Sequence, residues 1–90
     1  MKAFRYTEGF KYVPTIEITR RGLGKNCLGL CRRSGKIIIH PDQPPREFFD
    51  TAVHELLHRY QPDMSEARVS ALATFIVGDL WALGFRRVIL

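Results

Sequence analysis

Several things are scarce in this chain of 90 residues, and each scarcity excludes something. Cysteine occurs twice, as Cys27 and Cys31. On an extended segment their Cα atoms would stand roughly 13 Å apart, which is beyond disulfide reach and points to a reducing, cytoplasmic setting. Long apolar runs are missing: no stretch of about 18 apolar residues exists, so no membrane-spanning helix is expected. Residues 1–8 lack the apolar segment of a signal peptide. Repeats, low-complexity tracts and an interdomain linker are absent too, and the length suits a single domain over residues 1–90.

Acidic residues are also in short supply, 9 against 14 Lys and Arg, for a formal charge of +5. Arg20–Arg21, Arg32–Arg33 and Arg86–Arg87 form three dibasic pairs, with Lys25 and Lys36 nearby. Such a charge can attract acidic substrates or nucleic acid. The basic residues form no single stripe and no known reader motif, so a solvated surface explains them equally well.

What is present is enough for a core. The apolar fraction is 46 %, with six Phe, three Tyr and one Trp. Residues 12–19 alternate and are rich in β-branched side chains, the pattern of a strand, and Pro14 suggests an edge or bulge there. Residues 4–10 give no clear strand signal. Gly22-Leu23-Gly24 marks a turn. Residues 26–33 and 36–40 read as a hairpin closed by Ser34-Gly35, with Leu28, Leu30, Ile37 and Ile39 on one face. Cys27, Cys31, Ile38 and His40 fall on the other face in that register.

The composition shifts near Pro41, after which two helices are expected. The first covers about residues 45–60, with Phe49, Val53, Leu56, Leu57 and Tyr60 at helical spacing and a proline in its first turn. Gln61-Pro62-Asp63 breaks it. The second runs over about residues 64–83 on a stripe of Val69, Leu72, Ala73, Ile76, Leu80 and Leu83, with Gly84 as its stop. A connection this short makes the pair antiparallel. Residues 85–90 could add a last strand, and Trp81 and Phe85 read as core or cap residues. The fold class is therefore α+β: N-terminal antiparallel β-strands with a hairpin, then an antiparallel helix pair.

The informative stretch is His54-Glu55-Leu56-Leu57-His58. Histidines at i and i+4 of a helix stand one above the other, so both imidazoles can reach one ion. Zinc accepts imidazole nitrogen, lowers the pKa of a bound water and polarises a carbonyl. Glu55, beside His54, is placed to act as general base without being a ligand. An ion held only by the folded chain would also stabilise so small a core. Catalytic zinc needs a third protein ligand. Across an antiparallel bend, His58 faces the first turn of the second helix, where Glu66 stands. Asp79, roughly 20 Å further along that helix, is out of reach. His40 and Asp63 remain alternatives. Glu66 also has a structural reading, because Asp63-x-x-Glu66 has the form of a capping box.

Thr51-Ala52-Val53-His54-Glu55-Leu56-Leu57-His58 resembles the active-site helix of zincin metallopeptidases. Its continuation Pro62-Asp63-Met64-Ser65-Glu66 looks like the short zincin-like proteins of bacteriophages and prophages. A hairpin ending in Ile37-Ile38-Ile39 before this helix is similar to minimal gluzincin and SprT-like domains. The resemblance implies His54, His58 and Glu66 as ligands of one zinc ion, Glu55 as catalytic base, and a peptide or protein substrate. It further implies that the strand before the helix is the rail for an extended peptide. Gln61 and Met64 stand where the longer H-E-x-x-H-x-x-G-x-x-H pattern has glycine and histidine. Tyr60, Arg68 and Tyr12 are candidate partners for a transition-state oxyanion.

Cys27, Cys31 and His40 could gather a second ion on one hairpin face, although the cysteine spacing is not that of a zinc knuckle. Gly22-Leu23-Gly24-Lys25 lacks phosphate-loop spacing and reads as a turn. The rival to a peptidase is a non-catalytic or weakly active zinc-binding adaptor that uses its basic surface on nucleic acid or a partner protein.

Overall fold

A computed structural model of the chain describes residues 15–88. Its elements follow the order β1 (Ile16–Ile18), β2 (Gly29–Cys31), β3 (Ile37–Ile39), α1 (Pro45–Tyr60) and α2 (Glu66–Ala82), an α+β arrangement. Three consecutive isoleucines explain why β3 takes the middle of the sheet. A continuous β-branched, apolar run suits a strand covered on both faces, and all three side chains are buried. The sheet order is β1-β3-β2. Helix α1 covers the face carrying Ile37 and Ile39, which pack with Phe48, Cys31, Ala52 and Leu56. Ile38 points the other way, toward the turn at Gly22.

The sheet is not wholly antiparallel, as the sequence had suggested. β1 runs parallel to β3, with Ile16 opposite Ile37, Glu17 opposite Ile38 and Ile18 opposite Ile39. The chain reverses once between β1 and β2 and again between β2 and β3, so a β1 that docks beside β3 must share its direction. Residues 4–10, 12–14 and 89–90, on which further strand readings fell, lie outside the described residues.

The hairpin register is also one residue away from that expected. Gly29 pairs with Ile39, Leu30 with Ile38 and Cys31 with Ile37. The turn supplies the reason. Gly35 N–H donates to Arg32 O (2.9 Å) and Arg32 N–H to Lys36 O (2.8 Å), with Gly35 at φ 90°. This is a three-residue loop with glycine in the left-handed position, not a two-residue turn at Ser34-Gly35. Because side chains alternate with period two, the slip moves Cys31 onto the α1 face and Leu30 off it.

Helix α1 spans the expected residues, but Phe48, Ala52 and Leu56 carry its contact with the sheet core. Helix α2 is capped by Ser65, whose hydroxyl accepts from Arg68 N–H (3.3 Å), so Asp63 is not the N-cap and no Asp63–Glu66 capping box forms. Val69, Ala73 and Val77 are its buried residues, one turn apart, while Leu72 and Leu83 of the expected stripe are exposed. The helix stops as anticipated at Gly84 (φ 94°). Gly84 N–H donates to Trp81 O and Phe85 N–H to Leu80 O, both 3.0 Å, the paired bonds of a Schellman motif. Residues 85–88 form no strand. Instead Arg86 stacks on Trp81 (3.6 Å) and Arg87 on Phe48 (4.1 Å), and Phe85 is exposed. No described helix is long and apolar enough to cross a membrane.

Candidate metal centre

His54 and His58 sit on neighbouring turns of α1, with ring centroids 4.8 Å apart and planes at 68°. Their Nε2 atoms approach to 3.1 Å. Across the bend, Glu66 occupies the first position of α2, where the helix dipole favours a carboxylate. Its Oε1 lies 2.7 Å from His54 Nε2 and its Oε2 2.9 Å from His58 Nε2. The three residues form the one group of potential metal-binding side chains among the described residues.

Protons alone do not satisfy this cluster. If each Nε2 carries a hydrogen, both donate to Glu66 and the nitrogen–nitrogen contact has nothing to share. A cation at the centre would accept all three lone-pair groups at once. Zinc–nitrogen bonds of 2.0–2.1 Å in a tetrahedron place neighbouring ligands about 3.3 Å apart, somewhat wider than the 2.7, 2.9 and 3.1 Å found, so the three groups would move slightly apart around an ion. The donor set, two imidazoles and one carboxylate, is one that catalytic zinc sites use. Glu66 is 68 % exposed, so the centre opens to solvent on the α2 side.

The other residues considered for this site lie elsewhere. His40 Nδ1 accepts from Asp42 N–H (3.0 Å) and caps its own loop. Asp63 and Asp79 are exposed and outside the group. The second centre at Cys27, Cys31 and His40 does not form: Cys27 Sγ lies 3.1 Å from Gly29 O, and Cys31 turns toward the α1 core.

Glu55 is buried, at 6 % exposure, between the histidine pair and β2. Gly29 makes that possible. A Cβ on Gly29 would stand 2.6 Å from Thr51 Cγ2 and 3.1 Å from Glu55 Oε2, so helix and strand meet here only because the side chain is absent. Burial pushes the Glu55 carboxyl above its ordinary value; His54 and His58 pull it down and Glu66 raises it again.

No protein-family model, curated protein or solved structure matches this chain.

Around the centre runs a cleft of about 620 Å³, lined by β2, His54, Glu55, His58, Arg59, Pro62, Glu66 and the hairpin turn. β2 is the edge of the described sheet that borders the cleft, β1 being the other edge, whereas β3, the strand before the helix, is hydrogen-bonded on both sides and cannot serve as a peptide rail. His40 N–H bonds to Leu28 O (2.9 Å) and Arg32 N–H to Lys36 O. In an antiparallel pair the intervening residues, Gly29 and Cys31, then turn their amide and carbonyl groups outward to the free edge. Of the oxyanion candidates, Tyr60 and Arg68 do not line this cleft, and Tyr12 lies outside the described residues.

Two supports escaped the sequence. Gln43 Nε2 donates to His40 O (2.8 Å), and its Oε1 accepts from Thr51 Oγ1 (2.7 Å), tying the connector to α1 beside Gly29. Arg59 Nε donates to Gly35 O (2.7 Å) and its Nη2 to Thr15 O (2.8 Å). A lone glutamine gives no pattern to read. Arg59 could have been flagged as a charged residue beside a candidate ligand.

Proposed function

We propose that this protein is a zinc-dependent peptidase of the zincin kind, with His54, His58 and Glu66 holding one zinc ion and Glu55 acting as general base. The convergence of two imidazole nitrogens on one carboxylate, 2.7 and 2.9 Å away, with a second, buried carboxylate alongside, carries this reading. Zinc, once bound, supplies a Lewis acid that acidifies water and polarises a carbonyl.

The chain's own groups do the rest. The free edge of β2 pairs with an extended peptide through the outward groups of Gly29 and Cys31, and so brings a peptide bond past Glu55. A Glu55 oxygen takes the proton of the attacking water as its oxygen bonds to the carbonyl carbon. It then delivers that proton to the departing amine nitrogen as the C–N bond breaks. The Cβ-free surface of Gly29 lets Glu55 sit at the strand without being displaced.

Elemental analysis of the purified protein tests the metal, with about one zinc per chain expected and its loss in His58→Ala and Glu66→Ala. Glu55→Gln should keep zinc and lose roughly 10²–10⁴-fold in peptide hydrolysis, the usual worth of a positioned base. A protein free of metal or loaded with iron would overturn the zinc assignment, and undiminished turnover in Glu55→Gln would remove Glu55 from its role.

A further inference from the structure

The cleft is not electrically even along its length. Toward the hairpin turn its lining includes Arg33 and Arg59. Toward the start of β2, an adjoining hollow is lined by Asn26, Cys27, Leu28, Asp50 and Thr51, with no lysine or arginine. The two arginines complement each other. Arg59 is held by two neutral carbonyls, Gly35 O and Thr15 O, so its position is fixed while no carboxylate compensates its charge. Arg33 is exposed on the turn and makes no ion pair among the described residues. Arg32 also borders the cleft, but its Nη2 reaches toward Gly22 and the Ile38 side chain, on the face of the sheet away from α1.

A guanidinium fixed in advance loses little freedom when it meets a carboxylate, and a second one on the rim draws the anion in. We propose that the hairpin-turn end of the cleft is a carboxylate subsite, in which Arg59 and Arg33 read an acidic residue of the peptide bound along β2. This rests on the peptidase reading and names its substrate class. At about 3.3 Å per extended residue, the acidic group lies roughly two to four residues from the bond cleaved beside Glu55, always on the same side of it.

The test is a mixed peptide library, with free and amidated C-termini, cleaved by the zinc-loaded wild type, Arg33→Glu and, as a control outside the cleft, Arg21→Glu, and read by mass spectrometry. Asp or Glu should be enriched on one side of the scissile bond. Arg33→Glu should reverse that preference toward Lys or Arg by about tenfold, a difference that one charge-assisted contact can supply, and Arg21→Glu should leave it unchanged. Equal cleavage of amidated peptides assigns the carboxylate to a side chain; loss on amidation assigns it to the peptide terminus, and the subsite stands either way. Cleavage without acidic enrichment, or enrichment unmoved by Arg33→Glu, overturns the subsite and spares the peptidase reading. Absence of both zinc and cleavage overturns the peptidase reading. Anisotropy titration of a fluorescent acidic peptide and its Asn/Gln counterpart into Glu55→Gln protein then decides the subsite without turnover, equal affinity counting against it.

Discussion

β2 and β3 are strands of equal length, paired to each other, and they serve opposite ends. β3 is bonded on both edges and buried on both faces, so it can do nothing but hold the domain together. β2 is half-buried, paired on one edge, and carries a glycine where β3 carries isoleucine. A sheet centre spends all its backbone groups on neighbours. Only an edge keeps some to offer, which is why the candidate chemistry lies along β2. Edges are aggregation hazards, and a strand of only three residues limits the hazard.

The contrast breaks most visibly from the β3 side. Ile37 is 0 % exposed, and Ile37→Ala should cost about 2–5 kcal/mol, a large share of what a domain this size possesses. Urea denaturation of the purified protein reads it, and a midpoint close to wild type would show that β3 is not the core. On the β2 side, Gly29→Ala forces a methyl against Thr51 and Glu55, for an expected loss of about 1–3 kcal/mol. Because Glu55 must shift, the proposed hydrolysis should fall further than the proposed zinc occupancy does. Gly24 has nothing within 4 Å of the same added atom, so Gly24→Ala should stay within about 0.5 kcal/mol of wild type. Equal effects at the two glycines would remove the close approach as an explanation.

The finest measure is chemical. Burial, reinforced by the Glu55 carboxylate and opposed by Arg59, pushes the Cys31 thiol above its ordinary value. A raised value means less thiolate at a given pH, so iodoacetamide at pH 8 should label Cys31 more slowly in the folded protein than in urea. Mass-spectrometric labelling rates decide it, and equal rates would place Cys31 outside the core face.

How much of this was legible beforehand follows how local each feature is. Both helices, the Gly84 stop and the meeting of His54 with His58 depend on spacings within a few residues, and they could be read directly. Glu66 was within reach because a short bend leaves little choice about which residues face each other. The hairpin register turned on whether Arg33 belongs to the loop, a decision made by the left-handed backbone of Gly35. β1's partner lies beyond an intervening strand, and no local pattern names it. Three isoleucines in a row were a usable sign of a strand covered on both faces. Gly29 could be recognised as a contact only once α1 was known to cross β2 at Glu55.

Arg59 follows His58 in the chain, and its guanidinium is moored to carbonyls 24 and 44 positions away in sequence. The last turn of α1 therefore cannot rotate without tugging on the hairpin tip and on the entry to β1. On the proposed metal reading, filling the centre at His58 would pull on the sheet, and amide exchange around Thr15 and Gly35 is where that pull would be felt.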